Sequence, residues 1–238
     1  MRDGSRWLRT ICDMGIKGSV GRAAATKVPA VAPKLTSGFV RQALARAIAG
    51  AGPLKPAAEA ADALLADHHG NVDKTVKAVI DKHVRYAGTQ GFVTNIGGLV
   101  TVAVTIPANI TGLALIQCRM IAIIAHLRGY DLADPRVRNA VLVCLMGQAE
   151  VDRMIKKKKL PAPPMAIATA PHHDPELDTL LSNEVAVDLI SRVVGKRMAV
   201  TIGRRVPVVG GAVGMTADGY ATWKLGRYAA QELRARKR

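Results

Sequence analysis

Between Arg85 and Arg119 the chain carries no Asp, Glu, Lys or Arg, and the stretch GGLVTVAVTIPANITGLALIQC fills most of that interval, from Gly97 to Cys118. Such a run is a membrane span, the buried centre of a helical protein, or a surface that meets lipid conditionally. Length separates these readings. Asn95 and Pro107 bracket only eleven residues, a helix of about 16 Å at 1.5 Å per residue. A hydrocarbon core of about 30 Å needs about 20 apolar residues. Reading on through Pro107 supplies the length, but includes Asn109, Thr111, Gln117 and a kink at the proline. The second arm, Ala108 to His126, is long enough but holds Arg119 near its middle, at a cost of about 2.5–3.5 kcal/mol even on a forgiving insertion scale. The expectation is a helical hairpin that turns at Pro107 and packs inside the protein.

On a helical wheel Leu113, Ile116, Met120, Ile124 and Leu127 share one face of the second arm, and Thr111, Arg119 and His126 cluster on another. A helix apolar nearly all round, with one narrow polar strip, is the central helix of a soluble bundle. The strip must find partners inside, since a buried unpaired charge is expensive. His126 accordingly reads as a hydrogen-bonded structural histidine ahead of a ligand or a base. Elsewhere strand alternation is nearly absent, and apolar residues recur at spacings of three and four. Aromatics make up only 3% of the chain, so Ala, Val, Ile, Leu and Met must fill the core. The fold class is all-α: a single helical domain built around two long apolar helical hairpins.

Punctuation along the chain supports this. Residues 1–34 form a loosely structured, flexible basic segment interrupted by KVPAVAPK, and the helical domain occupies 35–238. Three helices open the domain: one ending at Gly50, one with Pro56 near its first turn and stopping at Gly70, and one capped by Asn71 and ending at Gly88. Later, KKKKLPAPP places four like charges before three prolines. This makes 156–176 an exposed connector, basic and proline-rich and then acidic. A last helical pair follows, turning at GRRVPVVGG.

Charge is unevenly spread. The formal net charge is +16; residues 1–58 hold ten Lys/Arg against two acids, and residues 192–238 hold eleven against two. Residues 161–191 hold five acids and no Lys or Arg. Basic ends around an acidic connector point to anionic lipid, nucleic acid or an acidic protein as partner; ordinary solvated faces are the bland alternative. The three cysteines, Cys12, Cys118 and Cys144, are widely spaced with no CxxC pair, which fits a reducing cytoplasm and argues against disulfides and zinc. The basic N-terminus lacks the continuous apolar core of a secretory signal.

Two stretches, GFVTNIGGLVTVAVTIPANITGLALIQCRMIAIIAHLRGYD and RRVPVVGGAVGMTADGYATWKLGRYAAQE, resemble the EcsC family of bacterial proteins. The first has a glycine pair, an apolar arm, a proline turn, and a second helix with Arg119 closing on Gly129-Tyr130-Asp131. The second has a Pro-Val-Val-Gly-Gly-Ala turn entering a small-residue helix. The resemblance runs from about Gly88 to the C-terminus. It implies a membrane-associated protein without a clear span, and it suggests an ABC transporter as partner, because the family is named for a gene beside one. It implies no established reaction.

Motifs for chemistry are weak. Gly210, Gly211 and Gly214 could cradle a phosphate at a helix entrance, but no P-loop Lys-Ser/Thr follows and no strand precedes them. Close helix packing is the better reading. His172, His173, Asp174 and Glu176 lie together, and His68-His69 form a second pair, without the spacing of a fixed metal site. No serine sits in a G-x-S-x-G elbow. We therefore assign no catalytic residue, no metal and no cofactor, and expect a non-enzyme.

Tyr220, Trp223, Lys224, Arg227 and Tyr228 are the best aromatic–basic cluster, half of which core packing would explain. The expected function is a peripheral protein on the cytoplasmic face of the cell membrane that binds anionic lipid, with an exposable apolar hairpin or as an accessory to a transporter. The membrane and anion contacts are assigned to Arg2, Arg6, Trp7, Arg9, Lys156, Lys157, Lys158, Lys159, Arg204 and Arg205. The runner-up is a basic adaptor for nucleic acid or an acidic protein, and the third reading is an unrecognised hydrolase. Asp218 is the lone acid between Arg192 and Gln231. It is the expected buried partner of Arg119 across the two hairpins, with Asp131, Glu150 or water as the alternatives.

Overall fold

A computed structural model describes residues 37–50, 55–96, 102–202 and 209–235, with side chains described for these except 37, 39, 90–111, 190 and 193–216. The described residues form nine helices and no strand. They are α1 (Ser37–Ala49), α2 (Ala57–Asp67), α3 (Val72–Ile96), α4 (Val102–Leu127), α5 (Pro135–Met146), α6 (Gln148–Lys156), α7 (Pro164–Ala168), α8 (Pro175–Ile202) and α9 (Val209–Glu232).

The apolar second arm is the centre of the bundle. Within α4, Met120 to Ala125 are each at most 2% exposed, and the helix touches α1, α2, α3, α5, α8 and α9. It ends where Gly129 takes φ 87, with Tyr130 N–H on Ala125 C=O and Gly129 N–H on His126 C=O. That left-handed position suits glycine, and the two bonds satisfy carbonyls at the helix end. Asp134 then caps α5 by accepting from the Arg136 N–H, and Pro135 takes the first helical position, where no donor is needed. Val137 and all residues from Asn139 to Met146 are buried, so α5 is a second interior helix.

Two expected boundaries are corrected. The hairpin does not turn at Pro107: α4 is helical from Val102 through it, which places the break between α3 and α4 within 97–101, outside the described residues. Pro107 lies in the second turn of α4, where a proline removes one donor while the surrounding helix keeps the rest. Nor does α3 stop at Gly88. It continues to Ile96, because a mid-helix glycine costs only about 1 kcal/mol and packing along α9 outweighs that. The caps expected at Gly50, Gly70 and Asn71 are present, with φ 83 and φ 76 at the glycines and Asn71 Oδ1 accepting from the Lys74 N–H at 2.9 Å. The 156–176 connector exposes its lysines but is anchored: Leu160, Pro164, Ile167 and Ala168 are buried, and α7 lies against α5.

Helix α9 packs along α3 more extensively than any other described pair, and two glycines set that approach. A Cβ on Gly219 would meet Val84 at 3.6 Å, and one on Gly226 would meet Ile80 at 2.8 Å and the Met120 sulfur at 3.1 Å. Moving from Gly219 to Gly226 on α9 moves from Val84 back to Ile80 on α3, so these helices are antiparallel. Gln117 Nε2 donates to Thr222 Oγ1 at 3.0 Å; with Gly226 at Met120 this makes α4 parallel to α9. Consequently the helix ends at Ile96, Val102 and Val209 share one end of the bundle.

The two glycines should respond oppositely to alanine. Gly226→Ala forces backbone or core shifts and should destabilise by about 1–3 kcal/mol. Gly219→Ala meets only ordinary contact distances, so helix propensity should leave it neutral or more stable by up to about 1 kcal/mol. Denaturant unfolding of both variants checks this, and equal losses would refute the register.

Candidate functional site

The buried face of α9 carries Asp218, Gly219, Thr222, Leu225, Gly226, Ala229 and Leu233, so its 3.6-residue period turns Tyr220, Trp223, Lys224 and Arg227 outward. Tyr220 is 58% exposed and Trp223 42%. Their rings stack with centroids 5.9 Å apart. Lys224 Nζ lies 5.7 Å from the Tyr220 centroid, and the Arg227 guanidinium lies 5.7 Å from the Trp223 centroid, within cation–π range. Val84, Gly219, Tyr220 and Trp223 line a shallow, mainly apolar depression. Tyr228, grouped with them by sequence, is core at 5% exposure.

Axial position gives this patch meaning. The Val84–Gly219 contact sets Tyr220 level with the stretch of α3 where Lys82 lies 6.0 Å from the ring of exposed Tyr86. Tyr86 is two positions from Val84 and so faces another flank of α3. Beyond this level, toward the shared helix ends, the sequence has no charge from Tyr86 to Cys118 or from Val206 to Ala217. Below it on the two helices come Lys82, Arg85, Lys224 and Arg227. Along α3 and α9 the order is therefore uncharged helix ends, exposed aromatic rings beside buried Asp218, then charged residues, while α8 carries Lys196 and Arg197 in its last turns and Arg204 and Arg205 lie in sequence between it and α9.

The sequence-predicted contacts are dispersed. Arg2, Arg6, Trp7, Arg9, Arg204 and Arg205 lie outside the described residues. Lys156 to Lys159 are exposed, with Lys159 Nζ 3.5 Å from Glu184 Oε1. They sit away from the aromatic patch: α6 runs back beside the C-terminal part of α9, where Asp152 acts on Tyr228 and Glu232 and the Met165 N–H lies against Glu232.

The expected Arg119–Asp218 pair is replaced by a different arrangement. Arg119 donates to the Ala47 carbonyl at 3.2 Å and the Lys55 carbonyl at 2.6 Å. Gln117 faces α9, and a residue two positions on points to the opposite side of α4, away from Asp218. The guanidinium instead meets the negative end of α1, where carbonyls have no helical partner. His126 behaves as expected, with Nε2 2.9 Å from Asp62 Oδ1 on α2.

Cys118 and Cys144 are buried thiols, with burial pushing Cys118 up to about 12 and Cys144 well above its usual range, so neither forms the nucleophilic thiolate. His173 meets Asp178, which also accepts from Asn139 at 2.7 Å and lies 3.6 Å from Arg41. Among the described residues no group of three or more His, Cys, Asp or Glu is placed to hold a metal ion. No helix among the described residues is long and apolar enough to cross a membrane.

Comparison with known proteins gives one relationship: residues 68–237 match the EcsC protein family. No curated protein and no solved structure matches. Helices α1 and α2 precede the matched region, and Arg119, His126 and the Arg41 contacts with α8 help tie them to it.

Two groups, buried His83 and half-buried Asp188, make stability pH-dependent in opposite senses. Burial, aided by Arg119 and Lys82, pushes His83 down to about 4, against the bond its Nδ1 makes to the Val79 carbonyl. Its contribution is present above pH 6.5 and is lost as pH falls toward 4. Burial, aided by Glu150, pushes Asp188 up to about 6, against the pull of Arg192 and Arg153. A carboxyl raised in the folded state adds stability as pH falls from 6 toward 3.8. Each contribution is of order 3 kcal/mol at full extent. Between pH 7.5 and 4.5, His83→Phe should gain about 2–3 kcal/mol relative to the parent, and Asp188→Asn should lose about 2 kcal/mol. Denaturant unfolding at both pH values checks this; variants that track the parent would refute the assignments.

Proposed function

Because the chain belongs to the EcsC protein family, we propose that it is a peripheral membrane protein that binds anionic lipid on the cytoplasmic face. It meets the surface with the flank of α9 that carries the exposed rings. The single observation that carries this reading is the exposed Tyr220–Trp223 stack with Lys224 and Arg227 beside the rings. Aromatic rings of this kind favour the headgroup level, while neighbouring cations meet lipid phosphate. The uncharged ends of α3, α4 and α9 lie on the side that would face the acyl region, and the net charge of +16 draws the whole chain toward an anionic surface. Lys156 to Lys159 add long-range attraction from another part of the surface.

Vesicle flotation tests the proposal. Binding should require anionic vesicles and weaken with salt. Replacing Lys224 and Arg227 by Gln should lower partitioning by about 30-fold, at about 1 kcal/mol per cation. In a Trp7→Phe background Trp223 is the sole tryptophan, and its emission should shift to the blue on binding. Alkaline carbonate should release the bound protein. Equal binding to neutral vesicles, or an unmoved Trp223 spectrum, would overturn this reading. A larger loss on neutralising Lys156 to Lys159 would move the lipid contact to that turn.

A further inference from the structure

Helix α8 presents a face that nothing described covers. Glu176, Leu180, Asn183 and Val187 fall on one line along it and are all exposed, with Leu180 at 37% and Val187 at 43%. Asp174 and Glu184 stand beside this line, Glu184 within 3.5 Å of Lys159. Two exposed apolar side chains in series among carboxylates suit a basic amphipathic partner and repel an anionic lipid surface.

We propose that this face is the docking site for the chain's own N-terminal segment, residues 2–17. The pattern of that segment matches. On a helical wheel Trp7, Leu8, Ile11 and Met14 fall on one side, and Arg2, Arg6, Arg9 and Lys17 fall on the other. Ile16 alone of the large apolar residues in the segment lies off the apolar side. Residues 1–34 hold seven Lys/Arg against two acids, while 161–191 hold five acids and no Lys or Arg. The apolar side meets Leu180 and Val187, and the excess positive charge of the segment is drawn toward α8 by the carboxylates of 161–191.

The point of attachment also matches. Helix α1 begins at Ser37, and one turn later Arg41 Nε donates to Ser182 Oγ at 3.0 Å while its Nη1 lies 3.6 Å from Asp178. The chain therefore enters α1 at the same level along α8, on the opposite side of that helix from the exposed line. Nineteen residues separate Lys17 from Ser37, a reach of up to roughly 60 Å, and a tether of that length gives an effective concentration on the order of millimolar. Arg2, Arg6, Trp7 and Arg9 thereby serve an intramolecular contact.

The native cysteines allow a direct test in the full chain. Cys12 lies within the segment, whereas Cys118 and Cys144 are buried. Asn183→Cys places a thiol between Leu180 and Val187; Gln231→Cys, on the exposed face of α9, is the control. Under mild oxidation the Asn183→Cys chain should form an intramolecular disulfide to Cys12 at least about tenfold faster than the control. Adding Leu180→Glu and Val187→Glu, both at exposed positions, should remove the difference. Equal rates at the two positions, or a disulfide only between two chains, would overturn the proposal. So would a segment that crosslinks at neither position while Trp7, in a Trp223→Phe background, changes its emission with anionic vesicles, which would make it a membrane element instead.

Discussion

Arg119 is the constraint around which the bundle is organised. A helix buried on every side can hold a guanidinium only if its donors are met inside. Here donors go to the carbonyls of Ala47 and Lys55. The end of α1 supplies one acceptor and a partial negative charge, and Lys55, just ahead of α2, supplies the other acceptor, so the contacts that make Arg119 tolerable also seat α1 and α2 on α4. His126 repeats the device further along the same strip by meeting Asp62. The polar strip of α4 is thus an attachment line for the helices that precede the family-matched region.

Close approach at Gly219 and Gly226 does the corresponding work on the other side. With no side chain at these positions, α9 settles against Val84, Ile80 and Met120, and its register becomes a matter of fit. That register brings Tyr220 and Trp223 level with Tyr86, at the height where charged residues end on both helices. An aromatic layer between apolar helix ends and cations is a property of packed helices, not of any one of them. The buried titratable groups belong to the same packing: His83 stays neutral beside Arg119, and Asp188 holds its proton more tightly because it is shut from water.

Much of this was legible in the sequence, and the reasons are local. Helix starts and stops at Gly50, Gly70, Asn71 and Gly129 follow from backbone chemistry within a few residues. The central place of α4 follows from its being apolar nearly all round, and the hydrogen-bonded role of His126 follows from the narrowness of its polar strip. Errors arose where a local signal competed with long-range packing. Gly88 and Pro107 are breakers by propensity, yet the helices run through both. Sequence also brought Tyr220, Trp223, Lys224, Arg227 and Tyr228 together as a cluster without separating exposed rings from core.

By itself, then, the sequence determined an all-α chain with a largely apolar central arm, basic ends and turns at specific glycines, because composition, periodicity and capping act over one or two turns of helix. Only the tertiary structure decided which acceptors Arg119 takes, that α4 and α9 run parallel, and which aromatic side chains face outward. These depend on the direction in which a side chain points once distant helices meet. Arg119 and Asp218 are both compatible with burial in sequence, but a rotation of two residues around α4 sends one donor set toward α1 and leaves α9 to Gln117.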